Sequence, residues 1–176
     1  MTPLRIDPPA LARVDWVTGA SVMFRSEALR DAGIFDEGFF LYFEEVELMH
    51  RMGRAGWRVL HEPLSQVVHV GGASTGIGTA GQAPRRLPDY WYHSRLRYFA
   101  RTRGRAGTLL VNLLWLAGKG IWGLRGLSGT APKGRQPPGE VSGVLRAGLW
   151  PIAHDLVPHG IAVDKGGARP AWQDRR

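Results

Sequence analysis

The chain has 176 residues, 44% hydrophobic and 22% charged, which supports a packed core and argues against global disorder. It contains no cysteine, so disulfides, thiolate zinc sites and a cysteine nucleophile are excluded. Its net charge of +8 is unevenly placed: residues 1–83 hold seven basic and ten acidic side chains, whereas residues 84–135 hold eleven basic and one acidic, Asp89. Such a basic block attracts phosphate, whether of nucleic acid, anionic lipid or a diphosphate-linked substrate.

In chain order, the opening residues Met1 to Pro9 lack the apolar stretch of a secretion signal. Residues 14–24 read as a strand with Gly19 inside it, and an interior strand glycine often marks close approach of a ligand or another backbone. Ser26 is expected to cap a short helix to Ala32, ended by Gly33. Phe35 to Phe40 is a turn between aromatic residues, and a helix from Glu44 to Ala55 is stopped by Gly56. Residues 57–60 and 66–70 read as short strands, followed by a flexible glycine-rich loop from Gly71 to Gln82. A basic helix is expected from Leu87 to Thr102, and an apolar one from Ala106 to Leu127. From Ser128 onward Pro and Gly dominate, and poor order is expected. There is no internal repeat, and no uninterrupted apolar run reaches the ~18 residues of a membrane span.

On a helix over 44–55, Leu48, Met49, Met52 and Ala55 gather on one side, and Glu44, Glu47, Arg51 and Arg54 on the other. Glu47 and Arg51 form an i,i+4 pair. Glu45 falls in the middle of the apolar side. A carboxylate there must be paired or face a cleft, and desolvation of that kind suits a general base working near neutrality. The plainer alternative is a helix-start glutamate that favours the N-terminal dipole and points to solvent.

The run from Val14 to Ala20, Phe24-Arg25 and Gly33 to Phe40 resembles the acceptor half of family 2 glycosyltransferases of the rhamnosyltransferase-like group. So do Tyr42 to Leu48 with Arg51, Gly56 and Trp57, and the segment Val68 to Ser74; together the match covers about residues 14–103. The resemblance implies an α/β GT-A fold and inversion of the anomeric centre in one displacement, at the expense of a nucleotide sugar. The family's helix pattern is Glu-Asp-x-Asp-Leu, whose second acidic residue is the catalytic base; that position here is Glu45. The chain departs from the pattern with Glu45 and Glu47 where aspartate is usual.

The resemblance also implies that His69 helps hold a divalent metal, Mg or Mn, on the donor diphosphate; His50, His61 and His93 have no comparable support. Trp16 and Gly19 match the strand lining the acceptor pocket, with Trp16 offering a flat face to a sugar or serving as core. Asp36 either orients substrate or forms an Asx-type turn. Arg51 and the loop residues Gly71, Gly72 and Ser74 are weaker candidates for structure or donor contact. The loop is no P-loop, since the Gly-Lys-Ser/Thr ending is absent.

The donor half of such enzymes carries an Asp-x-Asp motif, and this chain has none. The expected organisation is therefore a partial GT-A fold: an N-terminal extension (1–13), the acceptor and catalytic half (14–83), basic and apolar helices (84–127) and a loose tail (128–176). The isolated chain is expected to be inactive, its missing half supplied upstream or by another chain. Residues 109–117 are too short to span a bilayer, but with Trp115, Trp122, Lys119 and Arg125 they suit the membrane interface. Family acceptors are often lipid-linked, so attachment to the cytoplasmic face of the membrane is expected. A non-catalytic relic serving as an interaction domain is the alternative. A nucleic-acid-binding module ranks lower, because no recognised nucleic-acid motif accompanies the basic block.

Overall fold

The computed structural model describes residues 10–68, 85–129 and 136–160. The described residues are mainly helical, with one two-stranded sheet. Strand β1 (Ala12–Val14) pairs antiparallel with β2 (Val59–His61), in the register Ala12 to His61 and Val14 to Val59. The long strand expected over 14–24 does not form. The Thr18 hydroxyl accepts from the Ala20 N–H (3.4 Å) and the Thr18 carbonyl from the Ser21 N–H (3.4 Å), which turns the chain at Gly19. Residues 66–68 are likewise not a strand.

Helix α1 spans Ser26–Ala32 as expected, and Gly33 ends it with φ 82°. Ser26 does not cap it: Arg25 holds the cap position and Ser26 is already helical. Helix α2 spans Glu44–Arg54, with Gly56 at φ 91° just beyond it. Leu48 and Met52 of α2 bury against Ala28 of α1, and Phe24, Leu29 and Trp57 pack around that core. Tyr42 (φ 68°) and Phe43 (φ 70°), immediately before α2, both sit in the left-handed region that non-glycine residues seldom adopt. Aromatic packing holds them there. Phe43 lies against Trp91 (5.5 Å between centroids) and Tyr98 (5.6 Å), and Tyr42 stacks on Tyr90 (6.3 Å).

Those partners belong to α3 (Asp89–Leu127), which is two helical arms broken at Gly104 (φ 68°, ψ −175°). Arg95 of the first arm donates to Asn112 Oδ1 of the second at 2.6 Å, though an unbroken helix would hold them ~26 Å apart. The arms therefore fold back on each other, with Arg95 buried between the rings of Phe99 and Trp115. This agrees with the two helices expected at 87–102 and 106–127. The second arm runs on past the apolar stretch 109–117. Its helix is long and apolar enough to cross a membrane by length and composition, with mean hydropathy 1.2 over 18 residues.

Part of the segment expected to be loose is ordered. Helix α4 (Glu140–Ala147) and helix α5 (Ala153–Leu156) both pack on α3. Gly143 makes this possible, because a Cβ there would stand 2.3 Å from the Tyr92 ring. Lys119 anchors the other end of α4 through Glu140. Composition weighs the glycines of 136–160 as disorder-promoting, whereas the packed structure uses Gly143 as the point of close approach.

Candidate active site

The first turn of α2 carries Glu44 and Glu45, where exposed backbone N–H groups and the helix dipole favour negative charge. Phe43, at the cap, supplies no side-chain acceptor. Glu45 is half-buried, and its Oε2 is shielded from solvent without a hydrogen-bond partner among the described residues. Its side chain lies along Gly19: a Cβ at Gly19 would be 3.5 Å from Glu45 Cβ and 3.7 Å from its carboxyl carbon. The turn at Thr18–Ser21 thus brings the glycine of the acceptor motif onto the side chain that the helical projection singles out.

Glu44 is the functional candidate that the projection misses. The projection places it on the polar face, yet its Oε2 is also shielded and, among the described residues, unpartnered. Burial raises its carboxyl above the usual range; the neighbouring charge of Glu45 adds to this, and a bond to its own backbone N–H opposes it. The signal available in the sequence is the aromatic pair Tyr42-Phe43, which draws the helix start under α3. Two carboxylate oxygens that are unsatisfied among the described residues are suited to receiving hydroxyl donors.

Glu47 also departs from the projection. It is 1% exposed, and Arg51 Nε meets both of its oxygens, at 3.0 and 2.9 Å. Arg101 of α3 adds a contact at 3.1 Å. The i,i+4 pair exists, but it is covered by an arginine 54 residues away. The remaining donors of Arg51 bind the carbonyls of Ala32 and Ile34, fastening the end of α1.

Asp36 is fully buried. It accepts from the Gly38 N–H at 2.9 Å, an Asx turn, from Arg97 Nη2 at 2.8 and 2.9 Å, and from the His159 N–H at 3.1 Å. Gly38 leaves the space for this pair, since a Cβ there would stand 2.2 Å from the Arg97 guanidinium carbon. Burial pushes the Asp36 carboxyl up, but the hydrogen bonds from Arg97, Gly38 and His159, with the charge of Arg97, hold it below its ordinary 3.8. Trp16 is 50% exposed and lines a groove beside α2 with Val46, Met49 and Tyr98. Glu45 and Gly19 therefore meet, while Asp36 and Arg51 are turned to structural partners. His69, Gly71, Gly72 and Ser74 lie outside the described residues. Among the described residues no group of three or more His, Asp or Glu gathers to hold a metal.

Two curated proteins named N-acetylglucosaminyl-diphospho-decaprenol L-rhamnosyltransferase, from Mycobacterium tuberculosis strains CDC 1551 / Oshkosh and H37Rv, are each 38% identical to this chain over 103 residues. The curated relatives of this chain are rhamnosyltransferases. A third, rhamnosyltransferase WbbL of Escherichia coli K12, is 37% identical over 57 residues, 32% of this chain and 21% of its own length. The two mycobacterial matches cover 53% of this chain, which spans about a third (34%) of those relatives' length. The glycosyltransferase resemblance read from the motifs is thereby borne out. No family model matches the chain. No solved structure matches it either.

Proposed function

We propose that this chain is the acceptor-side, general-base part of an inverting, rhamnosyltransferase-like enzyme with a partial GT-A fold. Its substrates are a nucleotide-sugar donor and a lipid-linked, diphosphate-bearing glycan acceptor. The observation that carries this is the half-buried Glu45, its Oε2 unpartnered among the described residues and its side chain laid along Gly19. The names of the two mycobacterial relatives support a lipid-linked, diphosphate-bearing acceptor, and all three names support rhamnose as the sugar transferred.

In the proposed step Glu45 takes the proton of an acceptor hydroxyl as that oxygen bonds to C1 of the donor sugar. The bond from C1 to the diphosphate oxygen breaks, and the nucleoside diphosphate leaves with that electron pair from the opposite face. In this reading Glu44, whose carboxyl is raised by burial, receives a second acceptor hydroxyl. The proposal includes a divalent ion on the donor diphosphate, with His69 as a ligand. The described residues do not form a ligand set for it, and no step is routed through it. The Asp-x-Asp donor half lies outside these 176 residues in this proposal, and the enzyme works at the cytoplasmic membrane surface.

The test is turnover of a nucleoside-diphosphate rhamnose on an N-acetylglucosaminyl-diphospho-prenol. The chain alone is expected to be inactive. Joined to a donor half, it is expected to transfer the sugar, and Glu45→Gln to lower kcat by ~10²–10⁴-fold with an unchanged circular dichroism spectrum. A fully active Gln variant removes Glu45 from the mechanism.

A further inference from the structure

The groove beside α2 has a volume of about 440 Å³ and is walled by β1, α2 and the end of the first arm of α3. Arg13 reaches it from β1, Arg54 from α2 and Arg103 from α3, and Trp16 and Trp57 also line it. Among the described residues none of these three arginines has a carboxylate partner, in contrast to Arg51, Arg97 and Arg101, which are all ion-paired. The sole carboxylate in the lining is Asp15. His50 stands in the same wall, and its Nε2 is shielded from solvent with no hydrogen-bond partner among the described residues.

We infer that this groove binds the diphosphate group of a substrate through Arg13, Arg54, Arg103 and His50, with the substrate's apolar or aromatic body against Trp16 and Trp57. Three guanidinium groups around one hollow, with Asp15 the sole carboxylate in its lining, leave a net positive charge there. A polyanion balances that charge and accepts the paired N–H donors of arginine in planar fork geometry. The exposed tryptophan face suits either a prenyl chain or a nucleobase. The substrate identity rests on the glycosyltransferase reading above, whereas the anion site rests on the groove alone.

The charges around His50 supply an independent readout. Burial lowers its pKa below 6.5, the charges of Arg54 and Arg103 lower it further, and Glu47 opposes them. Glu47 is itself held by Arg51 and Arg101, and Asp31, Arg51 and Arg101 line the hollow on the other side of His50. An anion in the groove offsets Arg54 and Arg103 and must therefore draw the His50 titration upward.

The experiment follows the His50 ring protons of the full chain by NMR, without divalent metal, during addition of inorganic pyrophosphate against sodium sulfate at matched ionic strength. Saturable binding with an upward shift of the His50 pKa by about half a unit or more is expected. It should weaken at least tenfold in Arg54→Gln/Arg103→Gln, two exposed positions whose substitution leaves the core intact. A non-saturating response equal to that of sulfate, or unchanged binding by the double variant, overturns the site. Geranyl diphosphate and uridine diphosphate then separate the sources. Tighter binding of the first assigns the lipid-linked acceptor and of the second the leaving group, while affinity no greater than that of pyrophosphate for both removes the roles of Trp16 and Trp57. Because no turnover is measured, an active Glu45→Gln enzyme would sink the catalytic reading without touching this result.

Discussion

Gly19 and Glu45, 26 residues apart, occupy one small volume: the carboxyl carbon of Glu45 is 3.7 Å from where a Gly19 side chain would begin. That is ordinary van der Waals contact, so Gly19→Ala is expected to change stability by no more than ~0.5 kcal/mol. Gly19→Leu needs the space that Glu45 occupies and is expected to displace it. Thermal unfolding and the carboxyl ¹³C shift of Glu45 check both. A Leu variant with an unmoved Glu45 resonance would contradict the packing.

The second long-range relationship joins Asp36 to Arg97. Both are nearly solvent-free, and the pair ties the turn before α2 to the first arm of α3. Removing one partner of a buried pair leaves a charge uncompensated, so Asp36→Asn and Arg97→Met are each expected to cost ~3–5 kcal/mol. The double variant is expected to recover part of that loss. Urea midpoints give the answer; strictly additive losses would deny the coupling.

Acid should act through the same aspartate. Its folded-state pKa is depressed below 3.8, so its contribution to stability is complete above that pH and is lost as pH falls through the depressed value. Glu44 has the opposite sign. Its folded-state pKa is raised above 4.5, so stability is lost as pH rises through that region. Glu44→Gln is accordingly expected to raise Tm at neutral pH and to leave it unchanged below pH 4. Equal gains at both pH values would show that the substitution acts by packing rather than by charge.

The second arm of α3 leaves Leu110, Leu114, Ile121, Leu124 and Leu127 exposed, while its other side buries Thr108 and Asn112 and binds Glu140 through Lys119. Although the helix is long enough to cross a bilayer, that polar side is fastened to α4 and suits an interfacial position. The chain is expected to float with vesicles containing anionic phosphatidylglycerol. Binding should drop at least tenfold in Leu114→Glu/Leu124→Glu. Recovery with no dependence on lipid would count against docking.

The helices were legible in the sequence where a local signal sufficed. The period of Leu48, Met49 and Met52 placed the inner face of α2, Gly33 and Gly56 marked helix ends, and the change from basic to apolar composition around Gly104 separated the two arms of α3. The ordered motifs from Trp16 to Trp57 were enough to indicate the glycosyltransferase relationship. Tertiary structure alone decided which acidic residues were covered. Glu47 is buried because Arg101 crosses it, and Glu44 is partly buried at the helix start that Tyr42 and Phe43 pin against the aromatic residues of α3. It also turned 14–24 away from a strand and found order in α4 and α5. Periodicity reports which side of a helix is apolar; it carries no information about what will lie across from it. A charge balanced by a partner more than fifty residues distant leaves no local trace.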